Sequence, residues 1–158
     1  MRKNVDLHTT LLIYVINGQV LLGFKNRGFG AGTYNGFGGK VLPNEDIISA
    51  TIRESVEEAG ITPVDMIPCG IVNYNEIMHG IRQNIQMHIF LAHSYNGTIT
   101  PSQEMTPEFF DVHNLPSNLL PDTAIWLPLI LSGYYIRAEF ELNDDMTIQS
   151  YQLDKKML

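Results

Sequence analysis

Cysteine is nearly missing from this chain: Cys69 is the only one among 158 residues. An intramolecular disulfide is therefore impossible, and a reducing compartment is expected. Cys69 itself reads as a small core residue in or near a strand. Basic residues are scarce as well, with ten Lys and Arg against seventeen Asp and Glu, for a net charge of −7. Such a chain lacks the broad positive field that sequence-independent nucleic-acid binding requires, so no stable nucleic-acid complex is expected. No apolar stretch has the length of a bilayer span, and no membrane partner is expected. Arg2 and Lys3 do precede the apolar run Leu11-Leu12-Ile13-Tyr14-Val15-Ile16. That run is short, however, Asp6 and His8 interrupt its approach, and no small-residue cleavage site follows. A cytoplasmic location is the simplest reading. There is no Gly-x-Ser-x-Gly and no cysteine pair, so serine and thiol hydrolase chemistry has no support. The histidines, His8, His79, His88, His93 and His113, share no metal-binding spacing on one helix face. His88 sits in an apolar strand and reads as a core histidine with a partner. Repeats, linkers and low-complexity tracts are absent, so residues 1–158 read as one domain, long enough for a sizeable core.

What the chain does have is a dense acidic stretch, GKVLPNEDIISATIRESVEEAGI, from Gly39 to Ile61. Glu54, Glu57 and Glu58 fall within five residues. Residues three and four apart are neighbours on a helix, so the three carboxylates share a face. Such a cluster calls for a hard divalent cation, and carboxylates around a metal suit phosphoryl chemistry. Asn44 is the expected N-cap, Gly60 closes the helix, and Pro63 prevents its continuation. Ile48, Ile52, Ser55, Val56 and Ala59 occupy one broad arc at 100° per residue. That arc is expected to pack on the core, with the glutamates roughly opposite. Were Ile48, Ile52 and Val56 exposed instead, they would offer a dimer surface; a monomer is the simpler expectation.

Around this helix the chain alternates between strands and turns. Thr9–Ile16 and Gln19–Phe24 flank Asn17-Gly18, a hairpin signal. Gly28-Phe29-Gly30-Ala31-Gly32 is a glycine-rich loop, followed by Tyr34-Asn35-Gly36-Phe37-Gly38-Gly39, and glycines at this density let backbone approach a ligand. Further strands are expected at Met66–Tyr74, Ile85–His93 and Phe109–Val112, with a polar turn from Ile77 to Asn84. Pro121–Leu131 reads as a second helix that Asp122 can cap. Tyr134–Leu142 and Thr147–Leu153 read as a terminal hairpin. Strands interleaved with two helices predict an α/β (α+β) domain, a mixed β-sheet sandwiched between helices.

The acidic stretch resembles the Nudix box, G-x5-E-x7-R-E-U-x-E-E-x-G-U with U a bulky apolar residue. Gly39, Glu45, Arg53, Glu54, Glu57, Glu58, Gly60 and Ile61 match. Ser55 departs from the first U and reads as a small polar residue hydrogen-bonded back to the helix backbone. The resemblance implies the Nudix α/β/α sandwich and hydrolysis of a nucleoside diphosphate linked to another group. It implies Mg²⁺, with Mn²⁺ as a substitute, held by Glu54, Glu57, Glu58 and the Gly39 carbonyl. Arg53 and Glu45 are implied as an ion pair that orients this helix face. Glu58 is the implied general base, with Glu104 as the rival from outside the box. The catalytic set is therefore Arg53, Glu54, Glu58 and Glu104, and Glu104 also joins the metal set.

Leu21 to Val41 further resembles one branch of that family, the animal oxidised-purine nucleoside triphosphatases, whose pattern is LLGxKxRGFGxGxWNGFGGKV. Ser102-Gln103-Glu104-Met105-x-Pro107 and Leu119-Leu120-Pro121-Asp122 also resemble that branch. By this resemblance Asn35 and Asp122 hydrogen-bond the purine edge and Phe29 lines the base pocket. Thr10 borders the sugar, and Lys25 lies near the phosphates or sugar. Gly38 and Leu120 complete the substrate set. On the residues alone Asn35 also reads as a turn residue and Asp122 as a helix cap. Two departures stand out. Leu120 replaces a Trp and cannot stack on a purine, a contact worth about 1–3 kcal/mol, and Thr123 replaces a second carboxyl. The implied reaction converts a (deoxy)nucleoside triphosphate, such as 8-oxo-dGTP, to monophosphate and pyrophosphate. The alternatives are another nucleoside diphosphate derivative (ADP-ribose, a nucleotide sugar, capped RNA) or a nucleotide-sensing module without catalysis.

Overall fold

The computed structural model describes residues 4–78 and 80–158; Arg2, Lys3 and His79, weighed above, lie outside them. Strand β1 (Leu7–Ile16) turns through Asn17 and Gly18, with φ of 51° and 75°, into antiparallel β2 (Gln19–Lys25). Two successive positive φ values are the turn that Asn-Gly favours. β3 (Tyr34–Asn35) and β4 (Phe37–Lys40) come next. Both lie in the glycine-bearing stretch that follows the expected loop, where no strand is expected from the sequence. β4 pairs with β1 in the register Leu11↔Gly38. A Cβ on Gly38 would overlap the Thr10 carbonyl oxygen. Glycine here permits close strand packing, although its low strand propensity hides the strand in the sequence.

Helix α1 (Ile47–Ala59) follows, then β5 (Ile61–Val64), β6 (Ile67–Met78), β7 (Ile81–Ala92), β8 (Ser94–Gly97) and β9 (Met105–Asp111). Helix α2 (Thr123–Leu131), β10 (Tyr134–Leu142) and β11 (Ile148–Met157) complete the chain. Nine strands form one sheet along the path β11-β10-β6-β7-β1-β2-β3, with β4 paired to β1 and β9 to β2. The β1–β7 and β6–β10 pairs are parallel and the rest antiparallel, so the sheet is mixed. β5 and β8 form a separate two-stranded sheet. Side chains alternate across a strand, and β1 shows this directly. Leu11 and Ile13 join Trp126, Leu127 and Ile130 of α2 in one core, while Leu12 and Tyr14 join Phe37, Ala59 and Ile61 in the other. Two cores on opposite faces make the α/β/α sandwich. Cys69 is fully buried, and burial pushes its thiol up to about 12. No helix among the described residues is long and apolar enough to cross a membrane.

Several local expectations are corrected. Asn44 adopts a left-handed φ of 64° and lies outside the helix, whereas Asp46 caps it by accepting from the Ser49 amide at 2.8 Å. Gly60, with φ of 73°, closes the helix as expected. The polar stretch after Ile77 is mostly strand, since β6 and β7 stay paired as far as Met78↔Ile81. Asp122 precedes α2 but makes no capping bond. His88 is half-buried rather than core, and its ring nitrogen lies 3.1 Å from that of His8.

The largest correction concerns the face of α1 that packs on the sheet. Ile48 and Val56 remain 54% and 47% exposed, while Thr51, Ser55, Glu58 and Ala59 are buried. Tertiary partners explain the rotation. Thr51 hydrogen-bonds Thr10 of β1. The Ser55 hydroxyl meets the Tyr14 hydroxyl at 2.6 Å and donates to the Ile61 carbonyl at 2.8 Å. Its acceptor therefore lies beyond the helix rather than within it. The sheet presents buried oxygens, so small polar residues face it. Ser55→Ala removes a partner from the buried Tyr14 hydroxyl and the Ile61 carbonyl. It is expected to cost about 1–3 kcal/mol in urea unfolding. Adding Tyr14→Phe should recover part of that loss, and full additivity of the two changes would contradict the coupling.

Candidate active site

Helix α1 lays its carboxylates against the glycine edge of the sheet. Glu58 is 5% exposed, and its Oε1 accepts from the Gly38 amide at 2.8 Å. The Glu54 carboxylate occupies the space above Gly39, where an added Cβ would stand 2.6 Å from Oε1. Arg53 organises the rest of the face. Its Nε and Nη2 donate to the two Glu45 oxygens at 2.8 and 3.0 Å, a two-pronged pair of high directional strength. Its Nη1 donates to Glu54 at 3.0 Å and reaches Glu57 at 3.3 Å, and Nη2 also donates to the Lys40 carbonyl at 3.1 Å. Arg53 thus ties the helix to the end of β4. This is the orienting ion pair with Glu45, extended to two more carboxylates.

Burial dominates the electrostatics. It pushes Glu58 from the ordinary glutamate range up to about 8; Glu54 and Glu104 add to the rise, while the Gly38 amide and Lys25 oppose it. Burial likewise raises Glu54, against the pull of Arg53. The donors are hard oxygens on acids that raise one another's pKa, above a glycine with no side chain. That set fits Mg²⁺ or Mn²⁺. The side chains are not drawn into a ready cage: among the described residues no three His, Cys, Asp or Glu groups converge. Glu57 is mostly exposed and turned toward Arg53. Glu104 is held by Lys25 at 3.6 Å and Arg27 at 3.2 Å.

Across the sheet lies a cavity of about 440 Å³ whose lining includes Phe29, Asn35, Leu120 and Asp122. These four residues come from three separate segments, and the fold brings them together along this cavity. Asp122 is buried, with its Oδ2 accepting from the Tyr74 hydroxyl and, at 3.0 Å, from Trp126 Nε1. Asn35 accepts from the Gly36 amide through Oδ1 at 2.9 Å. Residues 6–130 match the NUDIX domain model. The chain belongs to the Nudix family.

Other relatives agree with this Nudix assignment. The chain is 39% identical over 145 residues to the oxidized purine nucleoside triphosphate hydrolase of Mus musculus, covering 91% of this chain and 92% of that one. The Danio rerio protein of the same name is 39% identical over 147 residues, covering 92% and 93%. Among solved structures, the MutT protein of Bacillus halodurans superposes with a TM-score of 0.81 at 25% identity, covering 94% of this chain and 97% of that one. A MutT Nudix hydrolase from Burkholderia pseudomallei gives 0.69 at 26% identity, covering 77% and 95%.

Some expected site residues of this Nudix chain stand apart from the cavity. The Thr10 side chain turns to Thr51 on the α1 side, and its neighbour Thr9 lines the cavity instead. Lys25 and Glu104 form their own ion pair beside the carboxylate face. Tyr34 packs edge-on against Phe24 and Phe110, and its hydroxyl donates to Glu108 at 2.6 Å, away from Asn35. Sequence reasoning missed Tyr74 and Glu76 of β6, which also line the cavity. Their only sequence signal is spacing: two positions apart in one strand, they share a face.

Proposed function

We propose that this Nudix protein hydrolyses an oxidised purine nucleoside triphosphate, such as 8-oxo-dGTP, to the monophosphate and pyrophosphate, using Mg²⁺ or Mn²⁺. One observation carries the reading: a single short run of chain touches both halves of the site. Asn35 lines the cavity, Gly38 donates to Glu58, and Gly39 lies under Glu54. At a rise of about 3.3 Å per residue, Asn35 and Gly38 are about 10 Å apart. A base seated against Asn35 would place its phosphates near α1.

Glu54, Glu57, Glu58 and the Gly39 carbonyl would hold the ion, with Glu104 beside them. When bound, the ion supplies charge stabilisation for the phosphate oxygens. Arg53 fixes the helix face through Glu45 and the Lys40 carbonyl. Glu58 takes the proton of the attacking water, a role we assign to it over Glu104 because Glu104 is engaged by Lys25 and Arg27. Lys25 lies near the phosphates. In the cavity Phe29 and Leu120 enclose the base, while Asn35 and Asp122 read its edge. Thr10 contributes to the sugar subsite by positioning β1 beside Thr9.

The test is a panel of dGTP, 8-oxo-dGTP, oxidised dATP, ADP-ribose and capped RNA with Mg²⁺, with all products identified. Pyrophosphate release from an oxidised purine triphosphate far above the others is the expected result. Faster cleavage of ADP-ribose or capped RNA would overturn the reading. Asp122→Ala should reduce discrimination across that panel without changing Mn²⁺ affinity measured by electron paramagnetic resonance. It should also destabilise the fold by about 1–3 kcal/mol, because the Tyr74 hydroxyl and Trp126 Nε1 lose their acceptor. Unchanged selectivity would reduce Asp122 to a structural anchor.

A further inference from the structure

A second carboxyl stands on the β6 wall of the base cavity. Glu76 is 4% exposed and shares its strand face with Tyr74. Its neighbour Asn75 points the other way and donates to Glu141 at 2.8 Å. The two cavity acids differ in one respect. Asp122 already has two protein donors, Tyr74 and Trp126. Among the described residues, none donates a hydrogen bond or an ion pair to Glu76. Gln83, directly across the β6–β7 ladder, also lines the cavity without bonding to it. Burial alone acts on the Glu76 carboxyl, and raises its pKa. A buried polar group without a partner is costly, and one facing a ligand cavity is completed by the ligand.

We propose that Glu76 is a specificity-determining residue that selects a purine bearing the 2-amino-6-oxo pattern, the guanine type, over one lacking the 2-amino group. This rests on the proposed function in seating the base in this cavity, and it goes beyond it by naming the base edge that is read. A carboxylate offers two acceptors and no donor. The N1–H and 2-amino group of a guanine-type base present two adjacent donors, which match two carboxylate oxygens side by side. An adenine-type edge sets a ring-nitrogen acceptor against the carboxylate. Removing the 2-amino group leaves one oxygen without its donor, the kind of loss that a built polar site penalises most.

Binding of the monophosphate products reads base selection apart from hydrolysis. Titration calorimetry with 8-oxo-dGMP and 8-oxo-dIMP, which differ only in the 2-amino group, is expected to give the wild type about tenfold or greater preference for the former. Glu76→Gln, which keeps the side-chain volume but sets an amide donor against the base donors, should bring the two affinities within about threefold. Glu76→Leu should do the same, and circular dichroism of both variants checks that they fold. A preference that survives in both variants overturns the proposal, as does a wild type that binds neither nucleotide. Tighter wild-type binding of oxidised dAMP, lost in Glu76→Gln, would also overturn it, because Glu76 would then be reading the base as a neutral acid. Failure of the proposed function shows elsewhere, as an absence of pyrophosphate release from purine triphosphates by the wild type, and the binding ratio still decides the role of Glu76.

Discussion

Replacing Glu58 with Gln is expected to lower turnover by about 10³-fold or more, with the fold intact. The amide keeps the size of the side chain and an oxygen to accept from Gly38. It cannot take a proton and is a poorer ligand for a hard cation. Steady-state pyrophosphate release and a circular dichroism spectrum check this together. Turnover within tenfold of the wild type would remove Glu58 from both roles. The same substitution has a second, opposite effect. In metal-free protein the Glu58 pKa stands near 8, above its unfolded value. An acid whose pKa is raised by folding supports the fold fully below its unfolded pKa and loses that support as pH rises through the folded value. Wild-type protein in chelator should therefore lose on the order of a few kcal/mol between about pH 4.5 and 8. Glu58→Gln has no such titration, so its stability should fall less over that window and exceed that of the wild type near pH 8. Parallel stability profiles for the two proteins would show that burial of the Glu58 charge is not the cost inferred from its 5% exposure.

Gly38→Ala is the second change with a large expected effect. The added methyl would overlap the Thr10 carbonyl oxygen. Strand β4 must then move off β1, and the Gly38 amide moves with it, away from Glu58. The expected cost is about 3 kcal/mol, or a fall in Tm of roughly 6–12 °C for a domain of this size. Turnover should drop at least about tenfold, since small displacements of catalytic groups are costly. Gly32→Ala is the control. Open space surrounds Gly32, and only its φ of 86° opposes a side chain. Its cost should stay near about 1 kcal/mol with turnover preserved. Equal losses in the two variants would mean that glycine flexibility matters here rather than close approach.

Both helices and most strands were legible because their signals are local. Asn17-Gly18 marks the first hairpin by its own backbone preference, and Gly60 marks the end of α1 in the same way. The acidic motif was legible because its residues recur at fixed spacing, and Arg53 and Glu45 do pair. The orientation of α1 was not legible. Periodicity treats Ile48 and Val56 as core, whereas Tyr14 and Thr10 draw Ser55 and Thr51 inward. Those partners lie about forty residues away in sequence, beyond any helical window. β4 was hidden for a related reason: its glycines answer to the backbone of β1, which local propensity does not register, and the two-residue β3 is too short to show a period. Among the cavity residues, Asn35 and Asp122 were singled out through the family pattern. Tyr74 and Glu76 were not, because a strand residue facing a cavity resembles any other residue of alternating burial.

Under the proposed function, the run from Asn35 to Gly39 would serve as a common ruler for the nucleobase and the phosphate chain. A shift of this segment that accommodates a new base would also move the amide under Glu58 and the floor beneath Glu54. Changes of substrate that preserve rate would therefore come from other cavity residues, Glu76 on β6 and Leu120 in the segment before α2, which can vary without disturbing the hydrolytic half of the molecule.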